Sequence, residues 1–282
     1  MEDVASDYAD REFRYNRVME PALAAAMAAL HLRPGRRVLD AGCGPGGVLP
    51  LLFAGVAPGG TVLGLDYSAP HVERARRLVR ERGLGGAVAV EVADLRADLP
   101  VADAACDVVW AADVLYPDTV GDPEVVVARL SRTLTPGGTL AVFYGNWLRA
   151  LYLPGYARLE HLIDAARETM YARERRWQGE PHPERALGWL TRAGLTDCRL
   201  HVLPAVHQQP LVAEVRRYIA DSILGGHYAR AVEACGRDVG MTSADEDLWR
   251  RLSDRGSPEY ILDQADYYCV ATALLAIGVR PV

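Results

Sequence analysis

Three aspartates and a cluster of glycines are the residues whose types and spacing point to chemistry. Asp40 ends a short apolar run and opens the string DAGCGPGG, which holds Gly42, Gly44, Gly46 and Gly47. Gly42, Gly44 and Gly47 meet the G-x-G-x-x-G spacing of dinucleotide sites, and Asp66 follows Gly47 by 19 residues, near the place of a ribose-binding acid. Asp40 argues against that ligand. A carboxylate two positions before Gly42 repels a pyrophosphate and attracts a ligand carrying an ammonium and a sulfonium. Asp94 closes a third apolar run, EVAD. Taken singly, each has a structural role open to it: a tight turn for the glycines, a helix cap for Asp66, a turn for Asp94. Together, three acids ending three successive strands of a parallel sheet converge on the crevice where such sheets bind ligands.

The elements that must position them follow from hydrophobic pattern. Strands are predicted at Arg37 to Asp40, Thr61 to Asp66, about Ala87 to Ala93, about Asp107 to Ala112 and Thr139 to Tyr144. They are nearly continuous in Val, Leu and Ala, as in a parallel sheet covered on both faces. Helices alternate with them. An N-terminal helix carries Leu23, Met27 and Leu30 at helical spacing. A second is capped by Ser68, has Pro70 in its first turn, and shows Val72, Ala75 and Val79 on one face. Asp122 and Pro123 read as the cap and first residue of another. Pro50 falls where the helix after the glycines should be under way, so that helix begins late or bends. Beyond Asn146 come helical stretches at Tyr156 to Trp177, Leu211 to His227 and onward to Leu252, interrupted by strand-like runs at Asp197 to Leu203 and Tyr267 to Ala276.

Composition narrows the function classes. The chain has 282 residues, and all 31 of its basic residues are arginine, a bias that GC-rich coding accounts for. Without lysine there is no Schiff base, no P-loop lysine and no kinase-type phosphate anchor. With 37 acidic residues the net charge is -6, which offers no global field for a polyanion. Five cysteines, widely spaced and never in a CxxC pair, read as reduced thiols rather than a disulfide frame or a zinc knuckle. The N-terminus lacks a signal-peptide profile, and the most apolar stretch, Tyr267 to Val279, falls short of the ~20 residues of a spanning helix. The expectation is a cytoplasmic monomer or homodimer with no nucleic-acid partner and no membrane span.

The motif order resembles that of class I S-adenosylmethionine-dependent methyltransferases of small-molecule type. The match is close over about Arg36 to Tyr144 and looser over the last two strands. It rests on the D-x-G-x-G-x-G spelling, on VLGLD and EVAD, and on the runs CDVVWAADVLYPD and LTPGGTLAV. The resemblance implies an α/β fold, a doubly wound, Rossmann-like, seven-stranded and mostly parallel sheet in a single domain spanning 1–282. Within it, 1–35 form a helical arm and 36–146 the cofactor-binding core. Segments 147–187 and 205–262 are helical insertions roofing the carboxyl edge, and 188–204 and 263–282 supply the last strands.

The implied cofactor is S-adenosyl-L-methionine, leaving as S-adenosyl-L-homocysteine. Asp40, Gly42, Gly44 and Gly46 would pass its methionine part, Asp66 would bind both ribose hydroxyls, and Tyr67 would pack on the adenine. Asp94 would accept from the adenine amino group with the Leu95 backbone nearby, and Tyr15 and Ala111 complete the set.

Methyl transfer from a sulfonium is an in-line displacement, so positioning carries much of the catalysis and a base is needed only where the nucleophile must lose a proton. Asp113, Tyr116, Asn146 and Trp147, beyond the fourth and fifth strands, are expected to face a small-molecule acceptor. His161, His182, His207 and His227 lie in or beside the roof as candidate bases. His207 is preferred because it is read as following the sixth strand, and with Tyr116 it forms the candidate catalytic pair. Tyr152, Tyr156, Trp177, Tyr218, Tyr228, Trp249 and Tyr260 suit an apolar or aromatic acceptor, whether natural product, quinone-like or lipid-like, as well as they suit burial of the roof itself. No metal is implied, because the Asp-Asn pair of catechol-type enzymes is missing; the [DN]-P-P-[YF] signature of DNA-modifying relatives is missing as well. Two alternatives stay open: a fold repurposed for a non-methylating reaction such as a cyclisation, and a non-catalytic cofactor-binding partner.

Overall fold

The structure, a computed structural model, describes residues 2–146, 149–175, 179 and 181–282. Seven strands form one sheet: β1 (Arg37–Ala41), β2 (Thr61–Asp66), β3 (Val88–Val92), β4 (Cys106–Ala112), β5 (Leu134–Gly145), β6 (Thr196–Gln208) and β7 (Tyr268–Val279). Their order is β3-β2-β1-β4-β5-β7-β6. The first five pair in parallel, and β7 runs antiparallel to both its neighbours, β5 and β6. The expected mostly parallel sheet is therefore present. Its winding reverses between β1 and β4, which opens the crevice at their carboxyl ends.

Side chains alternate across the strands and feed two cores. Val108 and Trp110 of β4 join the core beneath α1 (Glu2–Ala29), α2 (Leu49–Val56) and α3 (Ala69–Glu81). Val109 and Ala111 join the opposite core, beneath α4 (Pro117–Val120), α5 (Pro123–Thr133) and α7 (Ala186–Arg192). Trp110 is fully buried, so truncating it to alanine would cost about 3–5 kcal/mol.

Local signals mostly act as their chemistry dictates. α2 begins at Leu49 with Pro50 in its first turn, where a missing N–H costs nothing. The Asp122 carboxylate caps α5, accepting from the N–H groups of Glu124 at 2.9 Å and Val125 at 3.4 Å. Ser68 departs from expectation. It occupies the cap position of α3, yet its side chain makes no capping bond, and its backbone N–H donates instead to Asp66 Oδ1 at 2.9 Å.

The larger correction concerns β6. It continues past Leu203 to Gln208, paired with β7 as far as Gln208 opposite Tyr268. Pro204 does not end the strand, because β6 is an edge strand and one of its sides needs no ladder donor. His207 consequently lies within β6 rather than after it.

α6 (Ala157–Arg175) crosses between β5 and β6. α8 (Ala213–Tyr218), a π-helical segment (Ile219–Tyr228) and α9 (Ala229–Cys235) run on without a break after β6, followed by α10 (Ser243–Ser253). Tyr152, Tyr218, Tyr228, Trp249 and Tyr260 are all buried in the packing of these helices, while Trp177 lies outside the described residues. Most of the roof aromatics thus serve the roof's own core. Among the described residues no helix is long and apolar enough to cross a membrane.

Candidate active site

The glycine turn is built by backbone geometry that side chains would obstruct. Gly42, Gly44 and Gly46 have φ of 83°, 53° and 87°. A Cβ on Gly42 would lie 2.4 Å from the Val114 side chain, and one on Gly46 would lie 2.9 Å from Ala75. The N–H groups of Gly42 and Cys43 both donate to the Leu65 carbonyl, at 2.8 and 2.9 Å, fastening the turn to the end of β2. Asp66 completes that attachment, its Oδ2 accepting from the Gly44 N–H at 2.9 Å.

Asp40 is 2% exposed at the end of β1. Burial first, and the neighbouring Asp66 second, push its carboxyl up to about 8. Two acids side by side in a nearly dry crevice form an arrangement that a cation relieves, so the residues present fit the ammonium and sulfonium of S-adenosylmethionine.

The remaining cofactor candidates differ in their placement. Tyr67 is 61% exposed at the rim. Asp94 is half-exposed and held by a fork from Arg96, with Nε at 2.9 Å and Nη2 at 2.7 Å, which keeps its carboxyl below the usual carboxylate range. Leu95 is buried, and its carbonyl accepts from Arg129. Ala111 points its methyl into the core under α5, so only its backbone is disposed toward a ligand.

Asp113 stands beside the glycine turn, since Val114 is what Gly42 touches. It is a non-glycine residue at φ 48°, and its buried carboxylate collects three donors. Tyr15 of α1 donates to Oδ2 at 2.5 Å; Tyr116 at 3.2 Å and the Gly145 N–H at 2.8 Å donate to Oδ1. Burial nonetheless raises its carboxyl, with the three donors opposing. Further along α1, a Cβ on Gly47 would lie 2.1 Å from Asn16 Nδ2, so the helix lies over the glycine turn.

Asp113, Tyr15 and Tyr116 line a cavity of about 750 Å³ that continues away from the crevice. Its walls carry Tyr144, Tyr171 and Tyr218, the arginines Arg11, Arg167, Arg185 and Arg230, and the acids Glu12, Asp118, Glu168 and Glu184. This is a phenolic and charged wall, unlike the apolar roof that aromatic content suggests.

Of the expected acceptor-facing residues, Asp113 and Tyr116 are on this wall. Asn146 is buried behind it, its Nδ2 donating to Glu184 Oε1 at 2.9 Å, and Trp147 lies outside the described residues. His207 is not on the wall; its Nε2 meets the Val18 carbonyl at 2.7 Å between β6 and α1. His161 lines a separate cavity of about 560 Å³ beside Glu160 and Asp164.

His182 and His227 do line the larger cavity. The Glu184 N–H donates to His182 Nδ1 at 3.2 Å, the Tyr144 ring meets that imidazole edge-on, and burial holds it below its ordinary pKa. His227 Nδ1 bonds the Tyr171 hydroxyl at 2.8 Å. Tyr144 and Tyr171 escaped the sequence reading. Tyr144 ends a predicted strand and was reachable by the same logic as Asp113, whereas nothing local marks Tyr171. Among the described residues, no group of three or more His, Cys, Asp or Glu is placed to hold a metal.

A reversing parallel sheet, a cation-seeking crevice and a polar cavity beside it define a class. The chain belongs to the methyltransferase-domain family, whose profile matches residues 32–194. It is 37% identical over 140 residues to 27-O-demethylrifamycin SV methyltransferase of Amycolatopsis mediterranei, covering 50% of this chain and 48% of that one. It is 40% identical over 112 residues to nocamycin O-methyltransferase of Saccharothrix syringae, covering 39% and 38%. The matches span about a third to a half of the length of these curated relatives. The YcgJ protein of Bacillus subtilis shares the fold, with a TM-score of 0.52 over 93% of this chain and 98% of that one at 15% identity.

Proposed function

We propose that the protein methylates a hydroxyl group of a small polar acceptor of the natural-product kind, with S-adenosylmethionine as donor. The observation that carries this reading is the junction at Asp113. There the crevice of Asp40 and Asp66 meets a cavity walled by phenol hydroxyls and charged side chains, which suits a hydroxylated molecule better than a lipid or an unadorned quinone. Relatives named as O-methyltransferases of rifamycin and nocamycin type support oxygen as the acceptor atom.

When bound, the cofactor supplies an electrophilic methyl on a good leaving group. Asp40 and the turn at Gly42, Gly44 and Gly46 hold its charged methionine end, Asp66 takes the ribose, and Tyr67 with Asp94 and Leu95 frames the adenine. Tyr15 closes that end from α1 and excludes water, and Tyr116 orients the acceptor against it.

Calorimetry with S-adenosylmethionine and S-adenosylhomocysteine tests the cofactor assignment, and Asp66→Ala should weaken both by at least tenfold. No binding to either ligand would end this reading. Labelled-methyl turnover against a panel of hydroxylated polyketides and phenols should then give labelled products. Altered but unlabelled products would instead establish a non-methylating reaction.

A further inference from the structure

We propose that the open face of β6 and β7 is where a second copy of this chain docks, the two copies packing sheet against sheet about a two-fold axis at Pro204. This interface is independent of the methyl-transfer reading.

The rest of the fold treats the two faces of these strands differently. On one face Leu203 and Ala205 of β6 and Ala271 and Ala273 of β7 are buried, with α1 packed over them. Successive side chains of a strand point to opposite faces, so Leu200, Val202, Pro204 and Val206 share the other one. There α7 covers only the lower end, where Ala276, opposite Leu200, joins the core with Trp189 and Leu190. From that point on the face is open. Leu200, Val202 and Val206 are 46%, 64% and 54% exposed, and Pro204 is exposed between the valines. Their β7 partners continue the surface: Leu274, Thr272 and Val270 are half-buried, and Tyr268, opposite Gln208, is 42% exposed. A strand facing water normally carries polar side chains at such positions.

Area, charge and symmetry favour a second copy as the occupant. At these exposures the patch presents on the order of 500 Å², the upper end of what a monomer leaves open in one place. A standard interface takes about 800 Å² from each partner, about two-thirds of it apolar in homodimers, so the patch supplies the apolar centre. No β6 or β7 side chain on this face is charged, and it can therefore meet its own copy without like-charge contact. Val202 and Val206 flank Pro204 evenly. With the axis lying between the sheets and crossing β6 at Pro204, Val202 of one copy meets Val206 of the other, the reciprocal contact that two-fold symmetry requires. Pro204 also selects the mode of contact: it has no N–H to donate along the open edge, which interrupts strand addition and leaves packing by the face. A bilayer suits the patch less, because the net charge of -6 opposes anionic headgroups.

The surface continues past β7. Leu274 lies opposite Val202 on one side and opposite Tyr144 of β5 on the other, and Tyr144 is on the wall of the larger cavity. The docked copy is therefore two strand spacings, about 10 Å, from that wall.

Sedimentation equilibrium of the full chain at micromolar concentration tests this. The parent should sediment at twice its chain mass. Val202→Glu sets an unpaired carboxylate against Val206 of the other copy, yet meets water in the single chain. Association should weaken at least about a hundredfold, with the circular dichroism spectrum unchanged. Val206→Glu should do the same, and decides the matter if the first variant does not fold. Adding Val202→Arg to Val206→Glu places opposite charges across the axis and should restore the dimer; failure to restore it overturns the axis at Pro204. A monomeric parent overturns the proposal, and if that monomer floats with vesicles of phosphatidylcholine and phosphatidylserine, the face docks on a bilayer instead. A dimer that both glutamate variants leave intact overturns it as well.

Discussion

Tyr15 and Asp113 lie 98 positions apart in sequence and share a hydrogen bond of 2.5 Å, joining α1 to the end of β4. The acceptor is a buried carboxylate, so the bond is charge-assisted and stronger than a neutral one. Tyr15→Phe keeps the ring and removes the donor, leaving Asp113 with Tyr116 and Gly145. It should cost about 1.5–3 kcal/mol, read as a lowered urea midpoint at pH 7 with unchanged slope. An unmoved midpoint would mean that the contact does not hold the helix down.

Asp40 makes the crevice pH-dependent. Its folded pKa is raised from 3.8 to about 8, so between those values the folded chain holds a proton that the unfolded chain has released. This contribution to stability is fully present below about 4 and is lost as pH rises through about 8. Asp40→Asn should therefore raise stability at pH 8.5 by about 2 kcal/mol, less than the full shift because the amide remains a buried polar group. The same variant should lose affinity for S-adenosylmethionine. In the parent protein a cationic ligand favours the ionised carboxyl, so affinity should climb toward pH 8 with proton release. Calorimetry in two buffers of different ionisation enthalpy measures that proton, and equal heats would refute the assignment.

Gly42 and Gly44 both have positive φ but differ in surroundings. Alanine at 44 meets no atom within 4 Å and carries only the backbone penalty of about 1–2 kcal/mol. Alanine at 42 adds collision with Val114, roughly another 1–3 kcal/mol. Denaturation of the two variants should rank them in that order, and equal losses would show that Val114 yields freely.

Asp94 and Arg96 form a surface fork, and such exposed, solvent-screened pairs add little to stability. Arg96→Ala should leave the melting temperature within experimental error and S-adenosylmethionine affinity within threefold, because Asp94 stays in place. Asp94→Ala should weaken the cofactor about tenfold. If Arg96→Ala weakens it equally, the arginine belongs to the site in its own right.

The parts of this protein legible in its sequence are those in which neighbours in the chain are neighbours in space. The glycine turn, the acids closing β1 and β2, the cap at Asp122 and the first-turn Pro50 depend on a few consecutive residues, and the structure places each where the pattern puts it. Illegible features arise from packing between distant segments. Tyr171 and His227 meet across 56 positions and Tyr15 and Asp113 across 98; Tyr15, Asp113 and His227 are each candidates singly, but nothing local marks Tyr171 or either pairing. His207 misled because Pro204 looks like the end of a strand until the strand is known to be an edge. The tyrosines of the roof leave pocket and core open as alternatives in the sequence, because aromatic content does not say which ring faces inward.

The order of synthesis gives the placement of α1 a further meaning. Val18, Met19, Ala22, Leu23 and Ala26 are all at most 3% exposed, and the surfaces that cover them include β6 and α8. His207 of β6 holds the helix by its Val18 carbonyl. α1 leaves the ribosome well before β6 and α8, so its apolar stripe waits for residues beyond 200 before it has a berth. Until those residues are made the stripe stands open to water, a surface for chaperones to shield, and the roof over the crevice closes only after them.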